Sequence, residues 1–390
     1  AKYPSRASIL LTLAEVQSGL EKREQSINSL KKMEALGFNN SLVVRNKKYL
    51  KSLHDDPEFM QIIQRMETPT SRFEKPHGFR SRYHWNRYSL TQPDNDSDRY
   101  YLSAMLAYTG QRGNSLPEIK YYLQRSTASD GSHPEGTVYL MENGDVRAEA
   151  RQPWFSDTCA LLKAINRKCE ILSRGAGSKL GILPENRQDI IGLVAGYRDF
   201  KWKHSNNMLL PGAIAESLTS YGGDFDKSQQ TKLTEFLRLG AAGSSGAVAE
   251  PFAFPEKFPL PMMHYYYATG CSLAEAWYQA VSSPYQVILV GDPLTRPFAT
   301  FSTPRLASPN PDKTWRGEVQ LHVEPAFQNK HKLARLELWI DGLPVNEASP
   351  DEPLIWDTSA VSDGYHDLRL VAVDDTPIET RSFSRHTIHV

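Results

Sequence analysis

Hydrophobic residues recur with different periods along the 390-residue chain, and each period predicts a different kind of structure. Across residues 5–66 the apolar positions repeat every three or four residues, which is the spacing of amphipathic helices. The members of this pattern are Ile9, Leu10, Leu13, Val16, Leu20, Ile27, Leu30, Met33 and Leu36. Two further helices are predicted over Leu42–Leu53 and Pro57–Met66, with Asp56 as the N-cap of the second. We therefore predict an α-helical segment over residues 1–67.

Residues 68–135 are predicted to connect this segment to the next domain and to pack helices on it. The first part is polar and contains several prolines, which disfavour regular structure. From Tyr100 to Ser126 the apolar spacing is again helical and includes Met105, with a break at Gly110–Gly113. We expect two short helices there.

Between residues 136 and 300 short apolar runs alternate with amphipathic stretches, which is the pattern of an α/β domain. The predicted strands are Thr137–Met141, Cys169–Ser173, Ile190–Ala195, Met208–Ile214, Gly246–Ala249 and Tyr285–Val290. The predicted helices are Phe155–Asn166, Lys232–Leu239 and Leu273–Val281. Because Ile190–Ala195 is apolar throughout, we expect a mostly parallel sheet with helices on both faces.

A Pro/Ser-rich linker is predicted over Thr300–Lys313, and after it the hydrophobic period changes to two. Turn sequences stand at Asp341-Gly342 and Asp363-Gly364. Short strands at this spacing predict an Ig-like β-sandwich over residues 314–390. The predicted fold is therefore multidomain, with a helical, an α/β and an all-β part.

Charge and composition exclude several classes of function. Lys plus Arg number 45, as do Asp plus Glu, so nothing in the net charge favours binding to nucleic acid or to an anionic membrane. The longest apolar runs, such as Tyr285–Val290, are too short to cross a bilayer. Three cysteines (Cys159, Cys169 and Cys271) leave at least one thiol unpaired and do not form the Cys/His set of a zinc site. No cofactor is predicted.

Polar residues follow successive predicted strands of the α/β domain. Tyr197 and Asp199 come after one strand, Glu216 after the next and Glu250 after a third. Open α/β sheets bind ligands at this edge, so these residues, together with His264, are candidates for one polar cleft, with His204 as a displaced base. The competing interpretation is that they cap helices and bridge loops. Gly243-Ser244-Ser245-Gly246 lacks the Gly-x-Ser-x-Gly order of a hydrolase nucleophile elbow and is predicted as a turn packed closely on the sheet.

Two other features have both a chemical and a structural interpretation. Asp94, Asp96 and Asp98 have the spacing of the start of a calcium loop. Arg99 replaces the glycine of an EF-hand, which leaves a weak surface calcium site or a solvated loop. Cys271 precedes a predicted helix, where the pKa of a thiol can fall, but a small buried residue is the commoner role.

Several motifs resemble known families. The run from Leu53 to Phe59 resembles the end of a tetratricopeptide-type array. The Gly/Ala stretch at 240–243 that leads into a strand, together with the Gly291-Asp292-Pro293 turn after the last strand, resembles the gingipain-type branch of the caspase-like cysteine peptidases. Residues 100–297 also resemble an uncharacterised family of exported bacterial proteins, through segments such as Leu210-Pro211-Gly212-Ala213-Ile214.

The resemblances imply a peptidase-type scaffold that lacks its catalytic pair. That branch places a His after one strand and a Cys after the next, whereas Tyr197 and Ala215 stand in those regions here. We therefore expect a non-catalytic binding or assembly protein of the cell exterior or periplasm, which acts through protein partners or self-assembly. The alternative is a hydrolase with a non-standard site at the C-terminal edge of the central sheet.

Overall fold

The computed structural model describes residues 6–35, 44–45, 47–67, 84–86, 89–91, 104–173, 181–281, 286–327, 332–376 and 378–390. Contacts divide the chain into two compact units, with the main break between Pro297 and Phe298. The N-terminal helices and the central sheet belong to the first unit, and two antiparallel sheets form the second. No helix among the described residues is both long and apolar enough to cross a membrane.

The N-terminal segment folds into helices around a core of its own. These helices are α1 (Arg6–Gly19), α2 (Arg23–Ala35) and α3 (Pro57–Glu67). The Asp56 carboxylate accepts hydrogen bonds from the backbone N–H groups of Glu58 (2.9 Å) and Phe59 (3.3 Å), which confirms it as the N-cap of α3. Within the described part of 42–53, a 3-10 turn over Tyr49–Leu53 replaces the end of the predicted helix. The core consists of Leu11, Ala14, Ile27, Leu30, Met33, Val44, Leu50, Leu53, Phe59, Ile62, Ile63 and Met66.

A short hairpin and one long helix lie between this segment and the central sheet along the chain. Strand β1 (His84–Asn86) pairs antiparallel with β2 (Ser89–Thr91), and α4 spans Leu116–Ser129. The helix predicted around Met105 is wrong. Met105 instead forms a parallel β-bridge with Val290 in the last strand of the central sheet, and its N–H donates to the carbonyl of Leu289 in that strand (2.9 Å). This contact satisfies polar backbone groups that the edge of the sheet would otherwise leave open.

The central sheet has six strands among the described residues, and five of them run parallel. They are β3 (Thr137–Glu142), β4 (Lys168–Ser173), β5 (Ile190–Ala195), β6 (Leu209–Ser217), β7 (Gly243–Ala247) and β8 (Val287–Gly291). The order is β4-β3-β5-β6-β7-β8, and β8 is antiparallel to β7. β5 is buried along its whole length, as its apolar sequence predicts.

Strand β7 begins at Gly243, three residues before the predicted start. The prediction was wrong there because residues 243–246 have the composition of a turn. Its small residues allow another backbone segment to pack directly on the strand. A Cβ at Gly246 would lie 2.5 Å from the backbone carbon of Gly222. The need for this close approach, and not a turn, therefore explains the glycine.

The helices of the α/β domain are α5 (Val146–Glu149), α6 (Phe155–Ala164), α7 (Thr234–Arg238), α8 (Met263–Ala268) and α9 (Leu273–Ala280). Helix α6 packs against β4 and α8. A disulfide between Cys159 and Cys169 joins α6 to β4, a pairing that the sequence left open. The third cysteine, Cys271, is free and buried.

In its described residues, the second unit consists of two antiparallel sheets that share one core. Its strands are β9 (Ser302–Ser308), β10 (Glu318–Phe327), β11 (Leu333–Ile340), β12 (Leu343–Ala348), β13 (Leu354–Asp357), β14 (Tyr365–Asp374) and β15 (Arg381–His389). The sheet orders are β13-β10-β9 and β12-β11-β14-β15. The linker predicted over Thr300–Lys313 is wrong for its first half, because β9 pairs with β10 there and adds Leu306 to the core.

Candidate functional site

Glu216 lies near the C-terminal end of β6, in register with Val194 on β5. Its carboxylate forms an ion pair with the guanidinium group of Arg151, and each side chain is 1% exposed. A charge that has left water is tolerated when a partner of opposite charge and further hydrogen bonds replace the water. A buried ion pair therefore occupies the edge at which the polar cleft was predicted.

Arg151 and Ser245 supply the remaining hydrogen bonds. Arg151 follows α5, and its N–H groups also donate to the carbonyl of Ala195 (2.6 Å), at the end of β5, and to that of Pro259 (3.3 Å). The Ser245 hydroxyl, on β7, donates to Glu216 Oε1 at 3.0 Å. Both carboxylate oxygens of Glu216 are thus bound to protein groups.

The environment of Glu216 changes its acidity. Burial raises the pKa of the Glu216 carboxyl, while the charge of Arg151 and the hydrogen bonds from Arg151 and Ser245 lower it by less. The ionised form of this carboxyl therefore depends on Arg151.

His264, on α8, is a further titratable group close to Arg151. Its ring packs on β5, where a Cβ at Gly192 would lie 2.6 Å from His264 Nδ1. Burial, and then the charge of Arg151, lower the pKa of His264 to about 3. The imidazole is therefore neutral near pH 7, and its Nε2 has no hydrogen-bond partner among the described residues. We call Arg151, Glu216, Ser245 and His264 the Arg151 cluster.

The other site residues predicted from the sequence make their contacts outside the Arg151 cluster. Asp199 forms a 3.1 Å ion pair with the adjacent Arg198, and both side chains are more than half exposed. His204 is exposed at the end of a 3-10 turn, and Tyr197 is half-buried. Glu250 Oε1 accepts a hydrogen bond from the backbone N–H of Phe252 at 2.9 Å.

In the part of the chain that the structure describes, none of these four residues bonds to Glu216. Each has the local role of a surface or loop group. The structure brings Glu216 together with Arg151 and Ser245, and of the other residues predicted for the cleft it places His264 close to Arg151.

A buried lysine holds the loop that follows β6. Lys232 Nζ donates to the carbonyls of Tyr221 (2.6 Å) and Gln229 (2.8 Å), and burial lowers the pKa of this ammonium group. The loop is also tied to the one after β5, since the Phe200 N–H donates to Thr231 Oγ1 at 3.0 Å. The loops at this edge of the sheet are thus joined by specific hydrogen bonds.

The free cysteine has a structural role. Burial, and then the charge of Glu275, raise the pKa of the Cys271 thiol to about 12, so it is protonated near pH 7. Ser272, and not Cys271, caps α9, because Ser272 Oγ accepts from the Glu275 N–H at 3.3 Å. The structural interpretation of Cys271 is confirmed.

The calcium candidates Asp94, Asp96 and Asp98 lie outside the described residues. Among the residues that are described, no group of three or more His, Cys, Asp or Glu side chains is placed to hold a metal ion.

Sequence reasoning placed His264 in the same cleft as Glu216, but it missed Arg151 and Ser245. Arg151 stands in a polar stretch outside any predicted strand, and its partner lies 65 positions away. Ser245 was assigned to a turn. The one available signal was Glu216 itself, since a carboxylate at the end of an apolar strand needs a partner.

No family model matches the chain, and no curated protein matches it. Among solved structures, fibronectin(III)-like modules of Clostridium thermocellum CbhA are 19% identical over 22% of this chain and 94% of that one, with a TM-score of 0.19. A structure described as a protease is 10% identical over 70% of this chain and 72% of that one, with a TM-score of 0.37. The endo-beta-1,4-mannanase of Thermotoga petrophila is 11% identical over 65% of this chain and 47% of that one, with a TM-score of 0.19.

Proposed function

We propose that this protein is a non-catalytic binding or assembly protein built on a gingipain-type scaffold, with an Ig-like second unit. The observation that carries the proposal is the burial of the Arg151–Glu216 pair at the end of β6. By the resemblance, a nucleophile would stand in this region. Here both carboxylate oxygens bond to protein groups and the side chains are 1% exposed, so neither faces a substrate.

The thiol and the imidazole that a cysteine peptidase needs are both unsuited to that chemistry. A nucleophilic cysteine acts as a thiolate, but burial raises the pKa of Cys271 to about 12. A general base must reach the group it deprotonates, but His264 is 2% exposed and its pKa is lowered to about 3. These observations favour a scaffold over an enzyme.

The disulfide supports placing the protein at the cell exterior or in the periplasm. Disulfides persist in oxidising compartments and are rare in the cytosol of mesophiles. The Cys159–Cys169 pair joins two packed elements, so it stabilises this fold where it can form.

One observation favours the alternative, a hydrolase with a non-standard site. The raised pKa of Glu216 is typical of a catalytic acid, and Ser245 donates to the same carboxylate. This function requires the cluster to open to solvent.

Turnover measurements separate the two functions. We expect the wild-type protein to hydrolyse no member of a panel of peptide, ester and glycoside substrates. Glu216→Gln and His264→Gln should leave that baseline unchanged, while Glu170→Gln is the surface control, since Glu170 forms an exposed pair with Arg187. Hydrolysis by the wild type that is lost in Glu216→Gln but kept in Glu170→Gln would establish the enzyme instead.

A further inference from the structure

The outer face of α1 carries a stripe of apolar side chains in contact with solvent. Ile9, Leu13, Val16 and Leu20 are 50%, 42%, 52% and 61% exposed. Spacings of four, three and four residues place them on one face, with Leu20 directly after the last residue of α1, where its N–H still donates to the Val16 carbonyl at 3.0 Å. Leu11 and Ala14, on another side of α1, belong to the core of the helical segment. Helix α1 is thus apolar on two sides. A helix with this property normally packs against other protein groups on both sides.

The neighbouring helices lack such a stripe. Helix α2 directs Ile27, Leu30 and Met33 into the core and exposes Lys31 and Lys32. Helix α3 places Phe59, Ile62, Ile63 and Met66 in the same core and exposes the single apolar side chain of Met60, so of these helices α1 alone carries an exposed apolar stripe among the described side chains. The stripe is therefore specific to α1.

The stripe is uncharged, which matters when identical surfaces meet. After Arg6, the charged residue of α1 is Glu15, and its carboxylate pairs with Lys47 at 3.3 Å. Glu15 stands one turn after Leu11, on the side of α1 that faces the core. Two copies of the stripe can therefore approach each other without bringing like charges together.

The spacing of the stripe is the same in both directions along the helix. We propose that α1 packs antiparallel against α1 of a second copy about a two-fold axis. Ile9 then lies against Leu20 of the second copy and Leu13 against Val16, so that one patch is complementary to itself, as a two-fold interface requires. This inference deepens the assembly role and rests on the proposed function.

The stripe is small for an interface between two copies of a protein. A 14-residue helix is about 21 Å long, and its outer face alone is smaller than the roughly 800 Å² that each partner buries in a standard interface. We therefore expect a reversible dimer with a dissociation constant in the micromolar range, on the order of 10 µM.

Sedimentation of the full chain tests the dimer. The wild type should shift from monomer to dimer between about 1 and 100 µM, and Leu13→Glu or Val16→Glu should weaken dimerisation at least about 100-fold. Met60→Glu is the matched control, because Met60 is 44% exposed on α3 of the same segment and should leave the dimer unchanged. A wild type that stays monomeric throughout this range, or stripe variants that dimerise as it does, would overturn the proposal.

Cross-linking tests the register. A mixture of the Ile9→Cys and Leu20→Cys chains should form a disulfide-linked dimer under mild oxidation, and neither chain alone should. In the antiparallel register two Ile9 positions are offset by about 16 Å, whereas a disulfide spans about 4.4–6.8 Å between Cα atoms. Native thiols do not compete, because Cys159 and Cys169 are bonded and Cys271 is buried. Efficient linkage of Ile9→Cys alone would contradict the register.

The two proposals fail in different measurements. Hydrolysis that depends on Glu216 would remove the non-catalytic function and leave the sedimentation result standing. A monomeric wild type would remove the α1 dimer and leave the turnover result standing.

Discussion

Arg151 connects segments that are distant in sequence through one buried guanidinium group. It bonds to the Glu216 carboxylate on β6, to the Ala195 carbonyl on β5 and to the Pro259 carbonyl. The position of Glu216 at a strand end was predictable from the sequence. Its partner was not, because the pairing depends on the sheet order and on no local pattern.

Removing Arg151 should destabilise the first unit strongly. Arg151→Met leaves Glu216 buried without a counter-charge, and we expect a loss of about 3–5 kcal/mol in the free energy of unfolding. Urea titration followed by tryptophan fluorescence measures it. Arg198→Met is the control, because its exposed pair with Asp199 should cost less than about 1 kcal/mol.

The double variant Arg151→Met/Glu216→Met tests whether the unpaired charge of Glu216 causes this loss of stability. It leaves no unpaired charge, so it should recover most of the lost stability. A double variant as unstable as the single one would show that packing around Arg151, and not its charge, is what matters.

At the scale of helices and strands, the bounds predicted from the sequence agreed with the structure where the local hydrophobic pattern was strong. β5 was predicted at its observed bounds because all its residues are apolar and buried. β7 and β9 were misplaced because glycine, serine and proline hide the strand pattern, while their pairing with β8 and β10 decides the structure. The Cys159–Cys169 bond was left open because three cysteines allow several pairings.

The disulfide between α6 and β4 should stabilise the first unit. It closes a short loop with a sequence separation of 10, so reduction should lower the free energy of unfolding by about 2–3 kcal/mol. Denaturant titration with and without reductant measures this change. The variant Cys159→Ala/Cys169→Ala should have the stability of the reduced protein and should not respond to reductant. A wild-type protein with the same free energy of unfolding in the presence and absence of reductant would contradict the expectation.

At the scale of the whole molecule, the two units contain buried histidines with opposite pKa shifts. In the first unit, burial lowers the pKa of His264 to about 3. In the second, His366 lies between Asp341 Oδ2 (2.7 Å) and the carbonyl of Ser362 (2.8 Å), and these hydrogen bonds raise its pKa. Formal charge and composition gave no sign of this difference, because it comes from the surroundings of each ring.

The two histidines should therefore contribute to stability with opposite pH dependence between about pH 8 and 5. The unfolded chain protonates His264 below about 6.5 while the folded one does not, so the contribution of His264 to the stability of the first unit should fall by about 2 kcal/mol at pH 5. The contribution of His366 is fully present below about 6.5 and is lost as pH rises through its raised pKa. Scanning calorimetry at several pH values measures both transitions.

The variants His264→Gln and His366→Gln assign these transitions, because each removes one titrating group. Each variant should differ from the wild type by the pH-dependent contribution of its own histidine, while other groups with shifted pKa, such as Glu216, keep theirs. A transition that keeps its pH response in both variants would show that other groups control it.

The Arg151–Glu216 pair also constrains how this protein can change over evolutionary time. A lineage that replaces either residue first passes through a chain with an uncompensated charge in its interior. Since two apolar replacements together are tolerated far better than one, positions 151 and 216 should be inherited jointly or substituted jointly among descendants of this chain. Related chains with arginine at position 151 and a carboxylate at position 216 would then identify the lineage that kept the buried ion pair at this edge of the sheet.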